Sequence, residues 1–410
     1  MVRFLGACIA NQLASELLFC APCRDACALS IGRTNSGTNP FVSHAFLHAL
    51  EGSGSVGEGT GWLSQHVLAK DARTGELLGA APAYIKLNSY GEYVFDQSWA
   101  QAYARAGGKY YPKLQLAVPF SPVTGPRLLV RETAPDGIAA ALAEGVKAVA
   151  GELNVSSAHI TFPTRAEAAA LASDGEWMLR TGMQYHWQNQ DYRTFADFEA
   201  ALEQKRRKAV RQERKKAKHG LNIRRLRGAD IKPHHWDAFY DFYQDTVDRK
   251  WGQSYLTKDF FHQLGETQAD NCMLVIAEEA EPGGGATVAG ALNLAGSRAL
   301  FGRNWGCRGD YPCLHFELCY YQAIEEAIAC GLQRVEAGAQ GEHKMQRGYL
   351  PTLTYSAHYV RNEQFRRAVG DFLARERTEM AQLVQTLSAE ASPYKDGCSP
   401  AKGDSVRSVD

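Results

Sequence analysis

CMLVIAEEAEPGGGATVAGALNLAG, Cys272–Gly296, decides the fold. An apolar run, a Pro-Gly-Gly-Gly turn and a second apolar run carrying Gly290-Ala291 spell an antiparallel hairpin. The first half of the chain has the same phrase. In HVLAKDARTGELLGAAPAYIKL, His66–Leu87, the turn ARTGE joins HVLAKD to LLGAAPAYIKL, and Gly79-Ala80 stands where Gly290-Ala291 stands in the later copy. After the first hairpin, LQLAVPF reads as a strand, APDGIAAALAEGVKAVAGEL as a helix, HITFPT as a strand and RAEAAALASDG as a helix. After the second come the strand ALFGRNWG, the helix HFELCYYQAIEEAIACG stopped by Gly331, the strand RVEAGAQ and the strand TLTYSAHYV. This alternation predicts an α/β protein with mixed α+β sheets, built from a duplicated domain. The first domain is expected over 40–192 and the second over 193–389. Residues 1–39 are expected to be an N-terminal extension, either a presequence or disordered, and 390–410, polar and turn-rich, a disordered tail.

Composition narrows the class. With 410 residues, 45% hydrophobic and 22% charged, the chain reads as a soluble globular protein, and its formal net charge of zero exerts no global pull toward polyanions or membranes. No apolar run is long enough to predict a transmembrane segment. Ten cysteines without disulfide spacing fit a reducing, cytoplasmic setting; the apolar, acid-poor start MVRFLGACIANQLASELLFCAPC leaves an organellar presequence as the alternative. Cys20 and Cys23 form a CxxC with no second ligand pair at finger spacing, so no metal site is expected. GSGSVGEGTG, Gly52–Gly61, contains G-x-G-x-x-G, but a helix precedes it and a strand follows, the reverse of a dinucleotide fingerprint.

Charge is concentrated in KRRKAVRQERKKAKHG, Lys205–Gly220, where nine cations face the single acid Glu213. Thr194, with Asp197 three residues on, caps a predicted helix that runs to the Gly220 stop, its stripe of Phe195, Phe198, Leu202, Ala209 and Ala217 turned to the protein. Lys205, Arg206, Arg207 and Arg211 are then candidates for holding a phosphate-bearing substrate. A solvated face whose late cations complement the helix dipole, and a peripheral membrane contact, are the other readings. Lys and Arg neutralise phosphate without reading bases, so tRNA and nucleotide- or lipid-linked partners are not distinguished.

Two long phrases, SYGEYVFDQSWAQAYARAGGKYYPKLQLAVPFSPVTGPRLL and GAQGEHKMQRGYLPTLTYSAHYV, resemble the FemAB-like group of peptidoglycan biosynthesis or recognition proteins. The order of hairpin, central strand, helix, strand and helix resembles the GNAT N-acyltransferase fold, here as two tandem GNAT-like acyltransferase domains like those of the Fem-type aminoacyl transferases. The resemblance covers residues 40–389. It implies transfer of an acyl or aminoacyl group to an amine of a peptide or amino-sugar acceptor, with no tightly bound cofactor and a donor co-substrate that is aminoacyl-tRNA or acyl-CoA. It also implies that the basic helix holds phosphates of a nucleotide- or lipid-linked muropeptide. Many GNAT enzymes cradle the CoA pyrophosphate with Arg/Gln-x-x-Gly-x-Gly/Ala; neither PFSPVTGPRLL nor RNWGCRGDYPCLHF matches. Fem sequences tend to carry aromatic-Lys-x-Gly-aromatic, and here Gln346 stands at the Lys position, with Lys344 two residues earlier. A reading of a different class is a non-catalytic recognition module that keeps the tandem fold.

N-acyl transfer needs a neutral amine, a stabilised oxyanion and a protonated leaving group. GEHKMQRGY offers Glu342 or His343 as base, Lys344 or Arg347 as positive charge and Tyr349 as acid. Glu317, in LHFELCYYQAIEEA, is either a tuned base or a buried anchor satisfied by Arg303, itself a candidate substrate-binding residue. In the first half, Tyr110 and Lys113, with Tyr90, Glu92 and Tyr111, are candidates for lining an acceptor groove, against aromatic core packing as the alternative.

Overall fold

The computed structural model describes residues 15–19, 39–173, 175–250, 254–282, 284–338 and 341–400. They fall into two units: residues up to 182 with 354–381, and 183–353 with 382 onward. The first unit contains β1 (Ser15–Phe19), α1 (His44–Gly52), β2 (Trp62–Ser64), β3 (Val67–Asp71), β4 (Leu77–Ala81), β5 (Ala83–Lys86), α2 (Gln97–Arg105), β6 (Lys113–Leu116), β7 (Leu129–Val130), α3 (Ile138–Glu152), β8 (Ser157–Thr161), α4 (Arg165–Ala172) and the start of β9 (Met178–Gln188). Most of the second consists of α5 (Phe195–Ala201), α6 (Gln204–Ala217), β10 (Leu221–Arg227), α7 (Pro233–Lys250), α8 (Lys258–Thr267), β11 (Cys272–Glu279), β12 (Thr287–Ala295), β13 (Ala299–Cys307), α9 (Leu314–Phe316), a π turn (Glu317–Tyr321), α10 (Gln322–Ala329), β14 (Arg334–Glu336) and a 3-10 segment (Glu342–Arg347). The chain then runs through β15 (Leu350–Val360) and α11 (Glu363–Glu390).

In the first unit, β1, β3, β4 and β7 form an antiparallel sheet; β2, β5, β6 and β8 form a second arrangement with residues 356–360, in which β6 and β8 run parallel. In the second unit, β10 to β14 are joined in sequence order and β14 pairs with residues 186–188; only β13 and β14 are parallel. The repeated Gly-Ala phrase has a packing cause. A Cβ on Gly79 would lie 2.9 Å from Ile138 Cγ2 of α3, and one on Gly290 would lie 2.7 Å from the Phe239 ring of α7. In each hairpin the glycine lets a helix rest directly on the sheet. Ile138, Leu142, Val146 and Val149 make the buried stripe of α3, at helical spacing, against Val67, Leu114 and Ile160.

Three sequence expectations change. LLGAAPAYIKL is not one strand: it breaks at Pro82, and β4 and β5 pair in different sheets. Proline has no N–H for a ladder and so suits a strand-to-strand switch. The Thr194–Gly220 helix is two helices, α5 with its Thr194/Asp197 capping box and α6, separated by a buried, extended Leu202. The tail explains the break. Leu202 bridges Tyr394, Glu203 N–H donates to Pro393 O at 2.9 Å, and Lys395 N–H donates to Ala201 O at 3.0 Å. Residues 391–400 are therefore packed rather than disordered; Tyr394 is buried and its hydroxyl donates to Gly348 O at 2.7 Å. In α6 the inward residues are Val210 and Ala217, with Ala209 half-buried. Of the expected extension, only β1, paired antiparallel with β3, lies within the described residues before Asn39. Cys20, Cys23 and residues 401–410 lie outside them.

Candidate functional site

Two consecutive residues of α6 fix the basic helix in the second unit. Glu213 accepts from Arg347 Nη2 at 2.6 Å and Nε at 3.1 Å, and from the Tyr321 hydroxyl. Arg214 donates Nε and Nη2 to Glu317 at 3.0 and 2.9 Å and Nη1 to Glu325 at 2.7 Å. Opposite charges at adjacent positions thus bind opposite charges on the 3-10 segment and the π turn. Gln322 Nε2 also donates to Glu317, at 2.8 Å, and Lys218 stands 3.5 Å away. The buried Glu317 thus has Arg214, rather than Arg303, as its ion-pair partner. Arg211 is held by Glu199 at 2.8 Å. Lys205, Arg206, Arg207, Lys208, Lys215 and Lys216 have no carboxylate within ion-pair distance among the described residues.

The 3-10 segment separates the GEHKMQRGY candidates. Glu342 is exposed, while Arg347 is buried, stacks 3.4 Å from the Phe316 ring centre and donates to His343 O at 2.6 Å. The His343 ring lies 3.0 Å, Nε2 to hydroxyl, from Tyr320. The His343 side chain is exposed, but partial desolvation on its inner side and the nearby charges of Arg347 and Lys344 hold the imidazole pKa below its ordinary value, and burial pushes the Tyr320 hydroxyl up. Lys344 is buried and donates to Ala337 O at 2.7 Å and Gly338 O at 3.1 Å; desolvation brings its ammonium down to about 8. Tyr349, expected as an acid, is fully buried with its hydroxyl on Tyr320 O at 3.2 Å. It supports the floor under Tyr320, with ring centres 5.4 Å apart. Glu342, Lys344 and Glu317 do not form one cluster; His343, Tyr320 and Lys344 sit together instead.

A cavity of about 250 Å³ lies beside this cluster, lined by Thr246, Arg249, Trp305, Tyr311 and His315 among others. His315 joins it to the His343–Tyr320 pair: its ring centre is 5.3 Å from Trp305, 5.3 Å from Tyr320 and 6.2 Å from His343. The π turn begins two residues after His315, and such local widening of a helix is frequent at functional sites. Tyr320, Arg249 and Trp305 were missed in the sequence, since each reads there as core or surface. The lone acid Glu213 within a basic run was the one signal available for the α6 anchor.

In the first unit, Tyr110 and Lys113 do not line a groove. Lys113 is fully buried and donates to Glu92 at 2.7 Å, Ser89 at 2.9 Å and Asp96. The Tyr110 hydroxyl donates to Asp96 at 2.6 Å. Burial, with the charge of Asp96, raises Glu92 to about 7; burial works against Asp96 too, but Lys113 holds it well below the usual carboxylate range. Lys86, also buried, lies 3.8 Å over the Trp62 ring and donates to Tyr90 O at 3.0 Å. The two lysines pin the Leu87–Asp96 loop from beneath. No group of three or more His, Cys, Asp or Glu side chains suited to a metal ion occurs among the described residues.

The family profile described as peptidoglycan biosynthesis/recognition, FemAB-like, matches residues 25–396. The chain belongs to the FemAB-like family. Among solved structures, this FemAB-like chain is similar to FemX at 11% identity, with a TM-score of 0.51 over 86% of this chain and 99% of that one. A tandem GNAT protein from the clavulanic acid biosynthesis pathway matches at 11% identity and TM-score 0.44, over 84% of this chain and 98% of that one. L-PGS from Bacillus licheniformis matches at 11% identity and TM-score 0.44, over 71% and 86%. No curated protein matches the chain. The mixed α/β fold is thus shared with FemX, and among the described residues no helix is long and apolar enough to cross a membrane.

Proposed function

We propose that this FemAB-like protein transfers an acyl or aminoacyl group to an amine of a peptide or amino-sugar acceptor in peptidoglycan metabolism. The reacting centre is the His343–Tyr320–Lys344 cluster of the second unit. The observation that carries this reading is the 3.0 Å bond between the His343 ring and the Tyr320 hydroxyl beside a buried lysine brought down to about 8. Three neighbouring groups with displaced proton affinities suit proton transfer near neutrality, and a site for recognition alone needs none of them. As the amine nitrogen bonds to the acyl carbon and the bond to the leaving group breaks, one proton must pass from amine to leaving group. The neutral His343 ring receives it, and the hydroxyl of Tyr320, kept protonated by burial, returns one to the leaving group. Lys344 spends two donors on Ala337 and Gly338, so when charged it has a third for the oxyanion.

The six cations of α6 without acidic partners among the described residues support a phosphate-bearing substrate, whether tRNA or a nucleotide- or lipid-linked muropeptide. The same cations favour a second reading, a recognition module without chemistry. Incubation with a nucleotide-linked muropeptide and either aminoacyl-tRNA or acyl-CoA, followed by intact-mass measurement, separates the two. An acceptor heavier by the acyl group supports transfer; salt-sensitive binding with no mass change under any donor supports the module.

A further inference from the structure

Four arginines of this protein share one geometry. Arg180 aims Nε and Nη2 at Glu376, Arg211 at Glu199, Arg214 at Glu317 and Arg347 at Glu213, each presenting the same edge of the guanidinium to one carboxylate. Arg303 of β13 departs from it. Its Nε and Nη2, the same edge, are buried and have no acceptor among the described residues. The guanidinium cannot shed its proton, and a buried N–H left without an acceptor is destabilising, more so when charged. Arg303 is also where the β12–β13 register slips: Leu292 pairs with Asn304 and Asn293 with Gly302, leaving Arg303 as the extra residue. Such bulges re-aim a side chain and gather beside active sites. Two further observations place it. Its charge acts on the Tyr243 hydroxyl of α7, and Tyr243 lies one helical turn before Thr246, while Trp305 and Cys307 follow on its own strand. Thr246, Trp305 and Cys307 line the cavity, so Arg303, two residues from Trp305 on the same strand, and Tyr243, one turn from Thr246, stand next to its lining.

We propose that Arg303 is a carboxylate receptor: its Nε–Nη2 edge takes a free carboxylate of a substrate, such as the terminus of a peptide or amino acid, in the two-pronged manner of the four internal pairs. That the bound molecule is a substrate rests on the transferase reading. The binding itself is measured without turnover, so failure of one is distinguishable from failure of the other. The test uses the full chain labelled with ¹⁵N-arginine and follows the Nε–H signals by NMR during titration with N-acetylalanine, its amide, and inorganic phosphate at constant ionic strength. The signal that Arg303→Gln removes should shift saturably with N-acetylalanine, and about tenfold more of the amide should fail to move it. No shift, or an equal shift with the amide, overturns the proposal; a shift at lower concentration with phosphate assigns the edge to phosphate and overturns the carboxylate. A second variant, Arg303→Met, checks that the side chain is not a structural pillar. Because it removes an unpartnered buried charge, its melting temperature should equal or exceed that of the parent. A fall of several degrees, or failure to fold, overturns the proposal.

Discussion

Replacing Arg214 by Met tests whether Glu317 anchors α6 or acts on a substrate. The pair is dry: the Arg214 side chain is 12% exposed and that of Glu317 0%, with two hydrogen bonds between them. Removing one partner of such a pair leaves a stranded charge, at about 3–5 kcal/mol. Gln322 and Lys218 offset part of this for Glu317, and so the lower end is expected. For a unit of this size, about 2–4 °C of melting temperature per kcal/mol gives a fall of roughly 6–12 °C. Glu317→Leu alone should cost less, because Arg214 keeps Glu325. The double variant should be more stable than the two single losses added together, by about 1–3 kcal/mol of coupling. Urea unfolding of the four proteins measures this. Single losses under about 1 kcal/mol that simply add would refute the anchor. A Glu317→Gln protein of parental stability but without transfer activity would instead make Glu317 a base.

The remaining predictions draw on other parts of the molecule. Changing Lys205, Arg206, Arg207 and Lys208 to Gln should leave stability nearly unchanged, since these exposed or half-buried charges have no ion-pair partner among the described residues, but weaken binding of tRNA or nucleotide-linked muropeptide about tenfold or more, as a salt titration of the parent and variant would show. CoA should bind poorly, because the β13–α9 connection Arg308–Cys313 lacks the small-residue turn that brings backbone donors to a diphosphate; micromolar binding by calorimetry would contradict this. Truncation after Glu390 removes the buried Tyr394 and should destabilise the protein by about 3 kcal/mol or more, measured by thermal unfolding. Lys344, lowered from 10.5 to about 8, gives a pH signature. The folded state binds fewer protons than the unfolded chain between these values, so its contribution is full above the unfolded pKa and lost as pH falls to about 8, on the order of 3 kcal/mol in all. Lys344→Met should flatten the rise in stability between about pH 8 and 9.5.

The hairpins, the order of elements and the family were legible because they rest on local pattern: turn chemistry, alternation and a glycine under each crossing helix. Pro82 and Leu202 show what was not. The proline was visible, but not that the chain changes sheets there, and Leu202 sits at a helix break set by Pro393 and Tyr394, almost two hundred residues away. The site was half legible for the same reason. His343 and Lys344 stood out as dense polar residues after an apolar strand, whereas Tyr320 and the Glu213–Arg347 and Arg214–Glu317 pairs depend on tertiary packing. Tyr349 and Lys113 were singled out for their chemistry alone; both are fully buried, with their polar atoms bonded to Tyr320 O and to Ser89, Glu92 and Asp96.

The pH dependence of transfer by the parent, His343→Gln and Tyr320→Phe, with donor and acceptor saturating, tests the reacting centre most directly. The parental rate should rise with pH through a value below the ordinary histidine pKa, because partial desolvation and the neighbouring cations favour the neutral ring, and fall again above about 8 as Lys344 loses the charge it offers the oxyanion. His343→Gln should lose about a hundredfold or more and with it that pH limb, at parental stability. A His343→Gln protein within about threefold of the parent, with the same pH profile, would contradict the assignment of the chemistry to this cluster.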